Sequence, residues 1–223
     1  MGGEKRHCLY GVGVATLDHL KVSDSRSAWE ACGFAVETDE CIVGDTRILF
    51  ADDESGRGIV EWSLRDLDSL DLDGLATNRS DAPAPNDAPP HPNGIAALDH
   101  VVAISSDLDR TVAALVAAGL DLRRVREEPT PAGAPRQAFF HLGSTILEVV
   151  QEPQTATERA GGDRPAFFWG LAFVAPDLEQ TVAFLGEDRV SEIRAAVQPG
   201  RRIATLRRAA GLSLPVALMS PRL

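Results

Sequence analysis

The chain has 223 residues, 44% of them hydrophobic, and 22 Lys and Arg against 33 Asp and Glu give a formal net charge of −11. This length is sufficient for a sizeable core, no apolar run is long enough to span a membrane, and the acidic balance argues against nucleic-acid binding, which needs a basic face. No signal-peptide pattern opens the sequence, and the three cysteines form no CxxC pair. We therefore expect a cytoplasmic protein with reduced thiols that binds a small molecule.

The first part of the chain, residues 1–75, is predicted to contain strands around one short helix. The predicted strands are HCLYGVGV (7–14), TRILFAD (46–52) and GIVEWS (58–63). SAWEACGFAV (27–36) is predicted to be a helix tail that ends at Gly33, because glycine suits the left-handed position after a helix. This part is a divergent copy of the two blocks that follow.

Residues 76–96 are predicted to form a linker. The stretch ATNRSDAPAPNDAPPHPNG (76–94) is rich in Pro, Asn, Asp and Ala and has almost no large apolar side chain. Such a segment buries too little apolar surface to offset its ordering entropy. Its prolines favour a partly extended conformation.

Two later blocks, 97–153 and 154–223, repeat one pattern. SDLDRTVAAL (106–115) returns as PDLEQTVAFL (176–185), and each block ends in an apolar strand followed by proline, ILEVVQEP and LPVALMSP. Asp107 and Asp177 are predicted helix N-caps, because a short carboxylate can accept a bond from the first free amides. Each block reads as strand, helix, strand, strand, strand.

The repetition predicts an α+β fold of βαβββ modules that form curved mixed sheets. A sheet with a helix on one face leaves its other face uncovered. Two such modules placed edge to edge would form a curved sheet with a hollow. The repeat alone therefore suggests a binding site on the uncovered face.

Four motifs resemble the vicinal oxygen chelate superfamily: LDHVV, SDLDRTVAAL, RQAFFHLG and ILEVV. This superfamily includes glyoxalase I, bleomycin-resistance proteins, extradiol dioxygenases and methylmalonyl-CoA epimerase. The likeness covers most of 97–221 and, more weakly, 7–63. It implies a glyoxalase-like fold of paired modules around a divalent metal, with His and Glu ligands on the first and last strands of each module.

Carried onto this sequence, the resemblance makes His100 the first-strand ligand and Glu148 the last-strand ligand. Strand alternation agrees, since each polar residue shares a face with its i±2 neighbours. Imidazole and carboxylate suit Zn, Fe, Mn or Ni. In the third block Gly170 stands in the place of His100 and Val216 in that of Glu148, and neither can coordinate through a side chain.

The first block offers a third ligand, because Glu61 in IVEWS aligns with Glu148 in ILEVV. Glu61 would bind the metal or carry a proton if the first and second blocks pair. The first strand of that block offers Tyr10 or His7. Which blocks pair, and whether they pair across a homodimer, stays open at this point.

Four further residues are candidates for the site. His141 is a candidate acid–base group, because the ordinary pKa of histidine lies near neutrality; the alternative is a hairpin cap. Phe139 and Trp169 are candidate substrate contacts, although aromatic residues on strands are usually core. Arg136 would bind substrate or pair with Glu148.

Two functions follow. The first is a metal-dependent lyase, isomerase or dioxygenase acting on a small oxygenated metabolite, with the metal as Lewis acid. The alternative is a metal-free protein of the bleomycin-resistance type that binds or sequesters a small molecule, which the missing ligands of the third block favour.

Overall fold

The computed structural model describes residues 14–51, 57–130 and 133–222. Most of the predicted strand 7–14, with His7 and Tyr10, therefore lies outside the described residues. The described chain forms two mixed sheets with short helices, which confirms the α+β glyoxalase-like fold.

The first sheet has the strand order β2-β3-β1-β4-β5. Its elements are β1 (Thr16–Val22), α1 (Arg26–Ala31), β2 (Glu40–Val43), β3 (Thr46–Phe50), β4 (Ile59–Arg65) and β5 (Thr77–Arg79). On one side of β1 lies β3, which is parallel to it, and on the other side lies the antiparallel β4.

The second sheet has eight strands in the order β11-β12-β13-β10-β6-β9-β8-β7. The second block supplies β6 (Ala97–Ser105), α2 (Leu108–Ala117), β7 (Asp121–Arg126), β8 (Gln137–Leu142) and β9 (Thr145–Gln151). The third block supplies β10 (Phe167–Val174), α4 (Leu178–Leu185), β11 (Arg194–Ala195), β12 (Arg202–Thr205) and β13 (Val216–Met219). Between the blocks lies α3 (Gln154–Arg159), and a 3-10 helix (Arg208–Ala210) precedes β13.

The second and third blocks join edge to edge through their first strands. β6 and β10 are antiparallel neighbours, and each has the last strand of its own block, β9 or β13, as a parallel neighbour on the other side. The open question of which blocks pair is thus answered by one continuous sheet made from the second and third.

The repeated helices begin at the two aspartates that the sequence predicts as N-caps. The Asp107 carboxylate accepts from the Arg110 amide at 3.1 Å, and the Asp177 carboxylate accepts from the Gln180 amide at 2.9 Å. Three positions at helical spacing are buried in each helix: Leu108, Thr111 and Leu115 in α2, and Leu178, Thr181 and Leu185 in α4. Among the helices described, none is long and apolar enough to cross a membrane.

Aromatic side chains pack the first sheet and its helix against β10. The Trp29 and Phe173 rings meet edge to face at 6.0 Å between centroids, and Phe34 lies 5.3 Å from Phe173. On β4, Trp62 packs against Phe168 at 5.0 Å. This packing lies on the helix-bearing side of the second sheet.

The start of the linker is held by polar contacts that replace the missing apolar burial. We call residues 80–83 the strap. Arg47 donates to the Pro83 carbonyl at 3.1 Å and Arg65 to the Ala82 carbonyl at 2.5 Å, while the Ser80 hydroxyl donates to Asp18 at 2.6 Å. The strap therefore lies on the face of the first sheet that α1 does not cover.

Candidate functional site

The same three residues, Leu-Asp-His, occur at 17–19 in β1 and at 98–100 in β6. In both strands the aspartate sits where the pairing register shifts, as the extra residue of a β-bulge. A bulge re-aims the side chain that it carries, and here each aspartate contacts the histidine that follows it. The sequence comparison missed this repeat and therefore missed His19; the motif LDH at offset 81 was the available signal.

In the second sheet the histidine is fixed by a buried ion pair behind it. His100 donates from Nδ1 to Asp99 at 2.7 Å. Arg201 donates to both oxygens of Asp99, at 2.9 and 3.1 Å, and both side chains are almost fully buried. Burial alone would raise the pKa of Asp99, but the bonds and charges of His100 and Arg201 bring it well below its ordinary value. The ionised Asp99 leaves the lone pair of His100 on Nε2.

That nitrogen faces Glu148 on the neighbouring strand. The distance from His100 Nε2 to Glu148 Oε2 is 3.5 Å, and the two side chains are 12% and 15% exposed. Gln137 donates to the other Glu148 oxygen. Burial raises the pKa of Glu148 above its ordinary value, an effect that the nearby His100 partly offsets. The structure therefore brings the two sequence-predicted ligands together.

We call the side of the second sheet that carries these residues the open face. Along β8 and β9, alternate residues on this face are half-buried, apart from the buried Gln137, whereas their neighbours Phe140, Leu147 and Val149 are in the core. The open face of these two strands carries Gln137, Phe139, His141, Ile146, Glu148 and Val150. It is apolar apart from a few convergent polar groups, which is typical of small-molecule sites.

Beside His100, the described strands of the third block place on the open face small side chains that cannot bind a metal. Ala172 lies opposite His100, and Gly170 lies opposite Val102. Ala217, next to Ala172, holds the position that corresponds to Glu148. The expectation for Val216 was wrong, because the parallel register turns Val216 into the core, where it is 1% exposed.

A side chain at position 170 would meet the backbone of Pro215, the residue just before β13. A Cβ built on Gly170 would lie 2.5 Å from the Pro215 carbonyl oxygen. The close approach of β10 and β13 therefore requires glycine here. It also explains why the third block has no ligand at the place of His100.

The first sheet does not present Glu61 to this site. The alignment of Glu61 with Glu148 fails, because β4 runs antiparallel to β1, whereas β3 is the strand parallel to it, as β9 is to β6. By register, Leu49 on β3 occupies the position of Glu148. Glu61 belongs to the other sheet, where its carboxylate lies 3.7 Å from Lys21.

No protein-family model and no curated protein matches the sequence. Among solved structures, a xylose isomerase-like TIM barrel/4-hydroxyphenylpyruvate dioxygenase fusion protein is similar over 94% of this chain and 49% of its own, with a TM-score of 0.60 and 11% identity. The chain has the vicinal oxygen chelate fold.

Smaller proteins of that superfamily match part of the chain. Methylmalonyl-CoA epimerase from Mycobacterium tuberculosis is similar over 58% of this chain and 91% of its own, with a TM-score of 0.47 and 17% identity. An epimerase variant from Streptomyces coelicolor is similar over 56% and 94%, with a TM-score of 0.45 and 19% identity. The fold rests on the likeness to the fusion protein, and at 11% identity that likeness shows no activity.

The other candidate residues do not all lie on the open face. Phe139 and His141 lie on the open face, with Phe139 directly opposite Glu148. Trp169 is half exposed, at a bulge in β10. Arg136 is not brought to the open face, because Glu127 holds it at 2.6 Å and Asp109 of α2 at 3.0 Å. It does not pair with Glu148.

The donors on the open face fit a divalent metal ion only with help from an amide. Among the described residues no group of three or more His, Cys, Asp and Glu side chains could hold a metal. Turning the Gln137 amide over would place its oxygen beside Glu148. His100, Glu148 and Gln137 would then supply one nitrogen and two oxygens, a set that suits a borderline divalent ion.

Proposed function

We propose that the protein is a metal-dependent enzyme of the lyase, isomerase or dioxygenase type that acts on a small oxygenated metabolite at the open face. The supporting observation is the approach of His100 Nε2 to Glu148, a half-buried carboxylate that has no Lys or Arg within ion-pair distance in the described chain. A carboxylate is costly to bury unless a cation or hydrogen bonds compensate it. A metal ion between the two side chains would provide that compensation.

Each residue of the site has a distinct role in this proposal. Asp99 and Arg201 orient the imidazole and keep the proton on Nδ1, as carboxylates behind metal-binding histidines commonly do. Glu148 and His100 would hold the ion, with Gln137 as the third donor. The bound ion would polarise adjacent substrate oxygens and stabilise an oxyanion.

His141 is the proposed acid–base group on the same face. It lies on β8 opposite Ile146, the residue that pairs with His100 on the other side of β9. The imidazole is therefore close enough along the sheet to serve a substrate held at His100. A histidine in this position could take up or deliver a proton at neutral pH.

Metal content per chain tests the proposal. Untagged protein purified without chelator should contain about one equivalent of a divalent metal. The His100→Ala and Glu148→Gln variants should lose it while they keep the wild-type circular dichroism spectrum. Two matched controls should keep the metal: His141→Ala on the same face, and His19→Ala, which removes the corresponding histidine of the first sheet.

A second candidate is a metal-free protein that binds or sequesters a small molecule. It is favoured by Gly170, Ala172 and Ala217, which supply no ligands from the third block. Absence of metal in the wild type, even after incubation with Zn, Mn, Fe and Ni salts, would contradict the enzyme proposal and select this candidate.

A further inference from the structure

Two arginines of β7 belong to the same face as His100 and Glu148. Arg124 pairs with Phe139, and Arg126 pairs with Gln137, across the β7–β8 ladder. Because directly paired residues lie on the same side of a sheet, both guanidinium groups are on the open face. The Arg124 guanidinium carbon lies 5.1 Å from the centre of the Phe139 ring.

Arg124 and Arg126 lack the close carboxylate partners that Arg110, Arg136 and Arg201 have. In the described parts of the chain, no carboxylate lies within 4 Å of Arg124, and the nearest partner of Arg126 is Glu128, at the outer limit of 4.0 Å. Their neighbour Arg123, by contrast, pairs with Asp121 at 3.3 Å. Several other described arginines also make no ion pair, so the distinguishing feature of Arg124 and Arg126 is their position side by side on the open face.

The two arginines are close enough to act on the site at Glu148. Strands β7 and β9 are two spacings apart in the sheet, about 10 Å between backbones. Arg126 is paired directly with Gln137, whose side-chain amide donates to Glu148. Strand β8 lies between β7 and β9, and on the open face it carries Gln137, a polar group, and Phe139, a flat apolar surface.

We propose that Arg124 and Arg126 bind the anionic group of the ligand, so that the open face selects small organic carboxylates over neutral molecules. The apolar part of the ligand lies on Phe139, and its reactive oxygens reach His100 and Glu148. Only the part of this inference that concerns the reactive oxygens of the ligand rests on the proposed function. Guanidinium groups suit the role because they bind carboxylates through paired hydrogen bonds.

Benzoate and benzamide test the selection, because they share shape and ring and differ in charge. Binding is measured by ligand-observed NMR titration on the full chain. The wild type should bind benzoate about tenfold more tightly than benzamide. The variant Arg124→Gln/Arg126→Gln should lose that preference, whereas the control Arg123→Gln, on the same strand, should keep it. If the double variant does not fold, Arg126→Lys is tested in its place. This variant retains the charge and should keep most of the preference for benzoate.

Equal binding of benzoate and benzamide by the wild type, or the same loss in Arg123→Gln, would overturn the inference. Repeating the titrations with chelated and metal-loaded protein separates it from the proposed function. A preference that depends on the arginines and persists in metal-free protein supports the inference even if the wild type proves to bind no metal. A preference that requires metal and survives loss of both arginines overturns the inference and leaves the metal proposal standing.

Discussion

The closed face of the first sheet, which carries His19, Arg47 and Ser63, and the open face of the second sheet are built around the same Leu-Asp-His bulge. On the closed face His19 Nε2 accepts from the Ser63 hydroxyl at 3.1 Å, and the strap covers the arginines. On the open face His100 Nε2 is directed at Glu148. The same local sequence therefore builds a self-contained polar cluster in one sheet and an available donor in the other.

Two differences account for the contrast. The strand parallel to the histidine strand carries Leu49 in the first sheet and Glu148 in the second. In addition, Asp18 pairs with both Arg47 and Arg65 in the first sheet, whereas Asp99 in the second pairs with Arg201 and leaves Arg124 and Arg126 outside its cluster. A duplicated motif can thus be structural in one copy and free for ligand binding in the other.

The largest expected effect comes from removing the aspartate that holds the closed face together. Asp18→Ala leaves the Arg47 and Arg65 charges without their buried partner, and breaking such a pair should cost about 3–5 kcal/mol in the free energy of unfolding. Urea denaturation at pH 7 measures it. The surface variant Asp121→Ala is the control and should cost at most about 1 kcal/mol. A loss of stability for Asp18→Ala as small as that of the control would show that the ion pairs of Asp18 do not hold the closed face together.

The contribution of Asp18 also depends on pH in a defined direction. Burial alone would raise its pKa, but hydrogen bonds from Ser80 and His19 and the charges of the two arginines lower it below its usual 3.8. A lowered folded-state pKa means that the stabilisation is fully present above pH 3.8 and disappears as the pH falls through the folded value. The difference in the free energy of unfolding between wild type and Asp18→Asn should therefore become smaller below pH 3.8.

A smaller effect is expected from adding one methyl group to the open face. In Gly170→Ala the new Cβ would lie 2.5 Å from the Pro215 carbonyl oxygen, so β10 and β13 must shift apart. Overpacking of this kind costs about 1–3 kcal/mol, measured by the urea midpoint. Ala217→Ser, on the adjacent strand of the same face, should change stability by about 0.5 kcal/mol or less. An unchanged midpoint for Gly170→Ala would mean that the third block could have carried a ligand there.

The smallest effect concerns the strap alone. Ser80→Ala removes the hydroxyl that donates to Asp18 and accepts from the Ala82 amide. Loss of such bonds costs about 1 kcal/mol, which should speed hydrogen exchange at Ala82 several-fold without changing exchange in the second sheet. The control is Ser69→Ala, whose hydroxyl accepts from the nearby Asp71 amide and has no other hydrogen-bond partner among the described residues. Equal exchange at Ala82 in both variants would separate the strap from the polar cluster.

The sequence alone was sufficient for features that depend on neighbouring residues. Helical spacing and the Asp107 and Asp177 caps identified α2 and α4, and strand alternation placed His100 and Glu148 each on one face with its i±2 neighbours. These are local properties, since periodicity and capping involve residues a few positions apart. The resemblance carried by LDHVV and ILEVV then indicated the fold.

The tertiary structure alone decided which strands become neighbours. It joined the second and third blocks, put Leu49 instead of Glu61 in the position of Glu148, and laid the strap on the closed face. It also placed Arg124 and Arg126 on the open face and paired Arg136 with Glu127 and with Asp109 of α2. Strand pairing and register are set by packing between distant segments and by bulges, and in this chain the ligands, their partners and the covering of each face all depend on that pairing.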